Sequence, residues 1–289
     1  MRCQCEEKNV RFFARIVVPG PFALPNDTYI FHALLHGLVP APVAFRPHLA
    51  DVEEHNGMAR RKELDVTKMS LGAAARIMDD YALLASGAAL GWGCGPLVVA
   101  REPLPSEAWA TARVAVPGLL TTANLLLTLH GGFQGPRQEM LFNEVMPAVA
   151  RGDADLGVII HEGRFTYQRL GLTKLLDLGE WWEGAFHVPL PLGAIAVRRN
   201  VPLETARAVQ TAIAASLSYA RAHPQASGDF VRAHAQELEE SVTRAHIETF
   251  VTDYSLDLGE AGRAAIEQLV GRAAMLEGLR IPPQGLFLG

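Results

Sequence analysis

A histidine follows the most apolar strand-like run of this sequence. In the segment "DLGVIIHEGRFTY", the apolar residues 156–160 lead directly into His161. A neutral imidazole, whose pKa is ordinarily near 6.5, is the usual general base at neutral pH. His161 is therefore either a base on the wall of a cleft or a polar side chain hydrogen-bonded at a strand end. Glu162 is not expected to orient it, because adjacent strand residues point to opposite faces.

Three other segments place polar side chains where a predicted strand passes into a predicted helix. The first is "LPNDTYIF", in which Asn26, Asp27 and Thr28 open a helix. Free backbone N–H groups and polar side chains at a helix start suit an anion. The same residues are also explained if Asn26 or Asp27 simply caps the helix.

The second and third segments have the same placement. In "VTKMS", Lys68 and Ser70 end a strand and open a helix, so both side chains could point into a crevice. In "PGLLTTANLLL", Thr121 and Thr122 follow a glycine turn. Two hydroxyls and the N–H groups of a helix start could bind a carboxylate there without any cation. A solvated lysine and ordinary serine and threonine caps are the alternatives.

Other candidates are weaker. His32 and His36 share one helix face but lack the intervening glutamate of an H-E-x-x-H zinc motif, and no metal site is expected. The glycine-rich residues 91–95 lead into a proline and a strand rather than a helix, which is unlike a nucleotide-binding loop. Trp181 and Trp182 either stack on an aromatic ligand or pack in the core.

Composition excludes several classes of protein. The net charge of -5 and pI of about 6.1 provide no basic surface for nucleic acid or anionic lipid. The three cysteines, Cys3, Cys5 and Cys94, are too few for a disulfide framework and indicate a reducing compartment. An export signal is not visible near the start, and no apolar run approaches the ~20 residues of a membrane span. The expected location is the cytoplasm.

Short apolar runs alternate with helical patterns over the first two hundred residues. This alternation predicts βαβ units and parallel sheets. The predicted elements include strands at 14–18, 43–51, 96–100, 139–142, 156–160 and 192–199 and helices at 25–37, 53–62 and 71–79.

The pattern changes after Asn200, where only helices are predicted, to about residue 279. Because a helical tail can pack against the first α/β unit, the predicted domains are discontinuous. Residues 10–101 plus 200–289 form the larger α/β domain, and residues 105–197 form the smaller one.

Two strands, near residues 97–101 and 194–198, are expected to cross between these domains. Ligands of such folds bind in the crevice between the domains. That arrangement puts His161 on the wall of the cleft.

Several segments of the chain resemble those of a known enzyme family. In order, "PNDTYIFHALLHG", "TKMS", "GWGCGPLVVA", "TTANLLL", "VIIHEGRFTY" and "LPLGAIAVRR" are similar to 1,4-dihydroxy-6-naphthoate synthases of the futalosine route to menaquinone, over about residues 14–255. The resemblance implies a two-domain, periplasmic-binding-protein-like (type II) α/β fold with an interdomain cleft. It also implies a cofactor-independent lyase that converts cyclic dehypoxanthine futalosine to 1,4-dihydroxy-6-naphthoate.

The resemblance also implies roles for individual residues. The catalytic histidine of the family falls on His161, and its substrate-site residues fall on Lys68, Met69, Ser70, Thr121 and Thr122, while Asn26, Asp27 and Thr28 match its first-helix signature. The family's usual turn, S-x-C-P-N-D-T, reads "PGPFALPNDT" here, which is longer and lacks the cysteine.

These residue types fit the implied chemistry. Aromatisation would drive the reaction, so a histidine need only remove a proton while hydroxyls and helix N–H groups stabilise the leaving charge. The expected partner is a small aromatic carboxylate, bound by a monomer or weak homodimer. The alternatives are the chorismate dehydratase of the same pathway, which shares the fold, and a carboxylate-binding protein without catalysis.

Overall fold

The computed structural model describes residues 13–14, 24–45, 51–234 and 239–289. The described strands are β1 (Phe13–Ala14), β2 (Ala44–Phe45), β3 (Val66–Ser70), β4 (Tyr81–Leu83), β5 (Ala89–Gly91), β6 (Leu97–Ala100), β7 (Val114–Val116), β8 (Arg137–Glu139), β9 (Leu156–Ile159), β10 (Thr173–Asp177) and β11 (Leu190–Arg198). Most of the predicted strands at 14–18 and 43–51, and the segment before Leu24, lie outside the described residues.

Helices lie between and after these strands. They are α1 (Pro25–Leu35), α2 (Val52–Arg60), α3 (Leu71–Ala74), α4 (Thr122–His130), α5 (Phe142–Arg151), α6 (Gly163–Thr166), α7 (Leu178–Phe186), α8 (Leu203–Ala222), α9 (Gly228–His234), α10 (Glu240–Phe250), α11 (Asp253–Leu256) and α12 (Gly259–Glu277), with 3-10 turns at Ser106–Thr111 and Tyr167–Leu170. The predicted mixture of helices and strands is confirmed, as is the helical end of the chain.

Two larger sheets carry the fold. One contains β3, β11 and β4 in that order, and β5 also pairs with β11. The other has five strands in the order β10-β6-β9-β7-β8. The prediction of parallel sheets is wrong for most strand pairs: only β1–β2, β7–β8 and β7–β9 are parallel in the described part of the chain. The antiparallel pairs, such as β6–β9 and β3–β11, join strands that are not consecutive in the chain, so the alternation of strands and helices did not determine their direction.

Two strands pair away from their neighbours in sequence. β6 follows β5 in the chain but pairs antiparallel with β9 and β10 in the five-stranded sheet. β11 follows β10 but pairs antiparallel with β3, β4 and β5. The largest cluster of buried apolar side chains includes residues from both sheets, such as Met69 and Val158. The two sheets are therefore joined both through the chain and through one apolar core.

Helix α1 does not begin as its sequence suggested. Its N-cap is Leu24, and Pro25 is the first helical residue, where the fixed φ of proline is favourable. The capping prediction for Asn26 and Asp27 is therefore wrong: both lie in the first turn, and both are buried. Their side chains are left for tertiary contacts.

Two other boundaries differ from the sequence prediction. The helix predicted over 71–79 ends at Ala74, and beyond it the N–H groups of Arg76 and Ile77 bond to carbonyls only three residues earlier, as in turns. The strand predicted over 139–142 lies earlier in the chain, as β8, which ends at Glu139. Phe142 instead begins α5. The apolar positions of α5 recur at helical spacing, which outweighed the short apolar run before it.

No helix in the described ranges is both long and apolar enough to cross a membrane.

A close backbone contact ties the loop before β6 to α7. A Cβ at Gly95 would lie 2.2 Å from the backbone nitrogen of Gly179, an atom that cannot move aside as a flexible side chain would. We expect Gly95→Ala to lower the free energy of unfolding by about 1–3 kcal/mol. The control is Gly184→Ala, inside α7, where a Cβ meets nothing within 4 Å and alanine should be neutral or stabilising. Equal unfolding free energies for the two variants in urea titrations would contradict this contact.

Candidate functional site

A cavity lies between the two sheets, with about 910 Å³ of empty space that is partly open to solvent. Of the nine residues predicted for the site, eight line it: Asn26, Asp27, Lys68, Met69, Ser70, Thr121, Thr122 and His161. Thr28 does not line it, because its hydroxyl donates within α1, to the carbonyls of Leu24 and Pro25.

His161 follows β9 with a left-handed backbone, at φ 55°. Phe142 contacts its ring edge-on, at 5.1 Å between ring centroids. Its Nε2 atom is buried and has no hydrogen-bond partner among the residues that the structure describes. Burial, and secondly the positive charge of Lys68, lower the pKa of His161 to about 3. The imidazole is therefore unprotonated at neutral pH.

Lys68 and Asp27 form a buried ion pair in the wall of the cavity. The ammonium group of Lys68, on β3, contacts the carboxylate of Asp27, in the first turn of α1. Burial raises the pKa of Asp27, and the charge of Lys68 partly offsets this effect. An isolated buried charge is strongly unfavourable, so each of these groups depends on the other. An anionic group of a ligand could therefore replace Asp27 as the partner of Lys68, or could bind Lys68 together with Asp27.

Ser70 is positioned by a residue that the sequence analysis missed. Asn56, on α2, accepts a hydrogen bond from the Ser70 backbone at 2.9 Å and donates to the Ser70 hydroxyl oxygen at 3.2 Å. Asn56 also donates to Glu53, whose carboxylate accepts the N–H of Leu120 from the other side of the cleft. Because the Ser70 oxygen is used as an acceptor, its hydroxyl proton can be donated into the cavity. The sequence offered no signal for Asn56 beyond a polar residue on a helix.

Both threonine hydroxyls at the start of α4 already have backbone partners. Thr121 caps α4, accepting from the N–H of Asn124 at 3.2 Å and donating to the carbonyl of Gly118 at 2.7 Å. Thr122 accepts from the N–H of Gly72 at 3.0 Å and donates to the carbonyl of Leu192. The first N–H groups of a helix have no intrahelical partner. At this wall, the backbone of α4 is therefore better placed than the hydroxyls to bind an anion.

Apolar side chains form much of the remaining wall. Phe142 and Phe250, from the start of α5 and the end of α10, line the cavity with Ile160 and Leu192. Cys94 also lines it, and burial raises the pKa of its thiol to about 12, so it is uncharged. Neither phenylalanine was predicted for the site, since the sequence pattern placed one in a strand and the other in the helical tail. These walls suit a flat aromatic ligand.

Arg164 reaches the cavity but is largely committed to the protein. Its guanidinium donates to the carbonyl of Gly95 and to the carboxylate of Asp177, the latter at 2.8 Å. Asp177 in turn caps α7 through the N–H groups of Gly179 and Glu180. Arg164 therefore fastens the segment after His161 to the loop before β6.

The histidine pair and the two tryptophans lie away from the cavity, whereas Cys94 and Gly95 of the glycine-rich segment line it. The rings of His32 and His36 contact each other at 4.6 Å, and the described ranges contain no group of three or more His, Cys, Asp or Glu side chains suited to a metal ion. Trp182 is fully buried and donates to the carbonyl of Pro189, and Trp181 packs edge-on against Phe186. Packing, rather than ligand stacking, accounts for both tryptophans.

Solved structures define the class of fold. The chain is similar to the periplasmic aliphatic sulphonate-binding protein SsuA from Escherichia coli, with a TM-score of 0.61 and 11% identity over 92% of this chain and 88% of that one. It is more similar to protein AF1704 from Archaeoglobus fulgidus, with a TM-score of 0.84 and 32% identity over 92% and 98% of the two chains. The protein thus has a two-domain, periplasmic-binding-protein-like fold with a cleft between the domains.

Sequence relatives define the family. The family described as "Menaquinone biosynthesis" matches residues 19–275. A protein of Thermus thermophilus named 1,4-dihydroxy-6-naphtoate synthase is 48% identical over 265 residues, which is 91% of this chain and 96% of the relative. A protein of Streptomyces coelicolor with the same name is 46% identical over 268 residues, 90% and 93% of the two chains. The chain belongs to the menaquinone biosynthesis family.

The electrostatics of the cavity predict an unusual titration for His161. With its pKa lowered to about 3, the ring should remain neutral through the range in which exposed histidines titrate. Removing the Lys68 charge with Lys68→Met should raise this pKa, because one of its two causes is removed. The control is Lys62→Met, which removes a lysine whose ion pair with Asp80 is exposed.

NMR titration of the imidazole carbon-bound protons measures this pKa, with His161→Gln used to assign the signal. A wild-type His161 that titrates near 6.5, or equal pKa values in the two lysine variants, would contradict the described electrostatics.

Proposed function

We propose that this protein is a 1,4-dihydroxy-6-naphthoate synthase, a cofactor-independent lyase that converts cyclic dehypoxanthine futalosine to 1,4-dihydroxy-6-naphthoate in menaquinone biosynthesis. The names of its two relatives support the synthase rather than the chorismate dehydratase. The observation that carries the mechanism is an unprotonated imidazole, at His161, in a largely apolar cavity that also contains the buried cation of Lys68.

His161 acts as the general base. A pKa of about 3 makes it a weak base, so the proton that it removes must be acidic. Aromatisation of the product meets this requirement, because the charge left on the substrate is delocalised as the ring system forms. A substrate carboxylate beside Lys68 would also offset the lysine charge and raise the pKa of His161. General base catalysis by the imidazole contributes about 10²–10⁴-fold to the rate.

The other predicted site residues bind and orient the substrate. Lys68 provides a positive charge, and the Ser70 hydroxyl provides a hydrogen-bond donor, on one wall. On another wall, the backbone N–H of Thr122, at the start of α4, provides a further donor. Met69 and the cavity's phenylalanines contact the aromatic ring. Asn26 and Asp27 hold partners of the site in place, and Thr28 stabilises the first turn of α1.

Closure of two domains around the substrate would exclude water from the intermediate. The domains proposed are residues 10–101 plus 200–289 and residues 105–197. The strand pairing supports one refinement, in which β6 belongs with the central segment and β11 with the outer one. The two crossing strands are then the connections about which the domains move.

The composition of the site and the charge of the chain indicate the binding partners of the protein. Its partner is a small aromatic carboxylate, and the net charge of -5 gives no support for nucleic acid as a ligand. We propose that it acts in the cytoplasm, as a monomer or weak homodimer.

The base assignment predicts the effect of removing one imidazole. His161→Ala should lower kcat for cyclic dehypoxanthine futalosine by at least about 100-fold, because the proton acceptor is lost. Its dissociation constant for 1,4-dihydroxy-6-naphthoate should stay within about threefold. The matched control is His187→Ala: His187 is exposed, lies away from the cavity and has the same left-handed backbone, at φ 57°. It should retain wild-type turnover.

Near wild-type turnover by His161→Ala would remove the base assignment. Two further assays test the reaction itself. Conversion of chorismate, with no conversion of the futalosine derivative, would identify a dehydratase. Recovery of both compounds unchanged from stoichiometric protein would identify a binding protein.

A further inference from the structure

A fully buried histidine lies beside the partly buried His161. His246, on α10, has a fully buried side chain and is not among the residues that line the cavity. Its ring is stacked on that of His161, with centroids 6.1 Å apart and an interplanar angle of 27°. On its other side it contacts Phe250, at 4.6 Å between centroids. The sequence analysis did not single out His246, because nothing local distinguishes it from other polar residues of the helical tail.

Its contacts fix the state and direction of the ring. Nε2 of His246 lies 3.1 Å from Oδ1 of Asn26, in the first turn of α1. An amide oxygen only accepts hydrogen bonds, so Nε2 carries the proton and Nδ1 carries the lone pair. Nδ1 lies 3.8 Å from Oε1 of Glu162, the residue after His161. Burial, and secondly the proximity of the ionisable His161 and Lys68, lower the pKa of His246 well below its usual value, so the ring is neutral.

These contacts also determine where His161 can point. His161 has a left-handed backbone, which is unfavourable for a residue other than glycine and must be held by its surroundings. Phe142 contacts the ring edge-on, and His246 stacks on it. The ring of His161 thus has one aromatic neighbour at 5.1 Å and a second at 6.1 Å between centroids. Since its Nε2 has no partner in the described ranges, packing rather than a hydrogen bond orients it.

We propose that His246 is a positioning residue for His161: anchored to Asn26 through Nε2 and stacked behind the His161 ring, it holds the proposed base in its reactive orientation. This proposal depends on the proposed function, because it assumes that His161 is the base. It also gives Asn26 a defined role, since the amide that lines the cavity holds the anchor of the base. His246 itself does not touch the substrate.

His246→Phe tests the proposal with a ring of similar size that cannot bond to Asn26. We expect kcat for cyclic dehypoxanthine futalosine to fall about 10- to 100-fold, because a small misplacement of a catalytic group is costly. KM should change less than about threefold, since His246 itself does not line the cavity. The matched control is Val242→Ala, which alters packing one turn earlier on α10 and should leave both constants within about twofold. Circular dichroism and thermal melting establish that each variant is folded.

A double-mutant cycle separates positioning from a general effect on structure. If His246 acts through His161, then His246→Phe should lower the residual rate of His161→Ala by less than about twofold. An equal loss in both backgrounds would overturn the proposal, as would wild-type kcat in folded His246→Phe. If His246→Phe does not fold, His246→Gln takes its place under the same limits, since it keeps an N–H near the Asn26 oxygen but lacks the ring.

The His161→Ala result keeps the two proposals distinguishable. Wild-type turnover by His161→Ala would refute the proposed function whatever His246 does. A large loss in His161→Ala together with full activity in the His246 variants would refute only the positioning role.

Discussion

The burial of ionisable groups in one cavity is the constraint on which the rest of the site depends. Lys68 and Asp27 are both removed from water, and neither charge would be tolerated there alone. Their pairing joins β3 to the first turn of α1 and leaves a positive field that His161 also experiences. Two neutral imidazoles, rather than imidazolium ions, are compatible with this surrounding. Burial lowers the pKa of His161, which makes the imidazole a weak base. The same low pKa keeps the imidazole unprotonated, and so able to accept a proton, at neutral pH.

Strands β6 and β11 each pair in a sheet other than that of the preceding strand, and this pairing brings these groups together. Lys68 on β3 pairs with Ile195 of β11, while Ile159, near the end of β9, pairs with Leu97 of β6. The lysine and the histidine are thus each carried next to a strand that crosses between the sheets. The lysine on one sheet and the histidine that follows the other line a single cavity. Small rotations about these crossing strands would change the distance between the base and the cation.

The cavity shows how a binding-protein fold can be adapted to catalysis. Fold similarity alone does not determine function, because the periplasmic-binding-protein-like fold is shared with proteins named for the sulphonates that they bind. The proposed function of this chain is supported instead by the chemistry of its cavity wall. Aromatic and aliphatic side chains face an imidazole without a hydrogen-bond partner in the described ranges, and a second imidazole packs behind it. A binding site without catalysis would have no evident need of a buried, unpartnered base.

The sequence by itself determined the local features of this protein. The apolar run before His161, the strand that ends at Ser70 and the threonine cap of α4 all depend on residues within a few positions of one another, and the structure contains each of them. Local spacing is sufficient there because secondary structure is governed by short-range hydrogen bonds and side-chain periodicity. Local spacing gave the wrong prediction at Asn26 and Asp27. These residues were predicted as helix caps, but in the structure they are buried in the first turn.

Only the tertiary structure decided the contacts between distant segments. The antiparallel pairing of β11, the hydrogen bonds that occupy the Thr122 hydroxyl, the support of Ser70 by Asn56 and the position of His246 behind His161 all join residues far apart in the chain. No local pattern encodes them. They follow from how apolar surfaces of the two sheets and the helical tail are buried together, and that packing determines which polar groups lose water and must find partners.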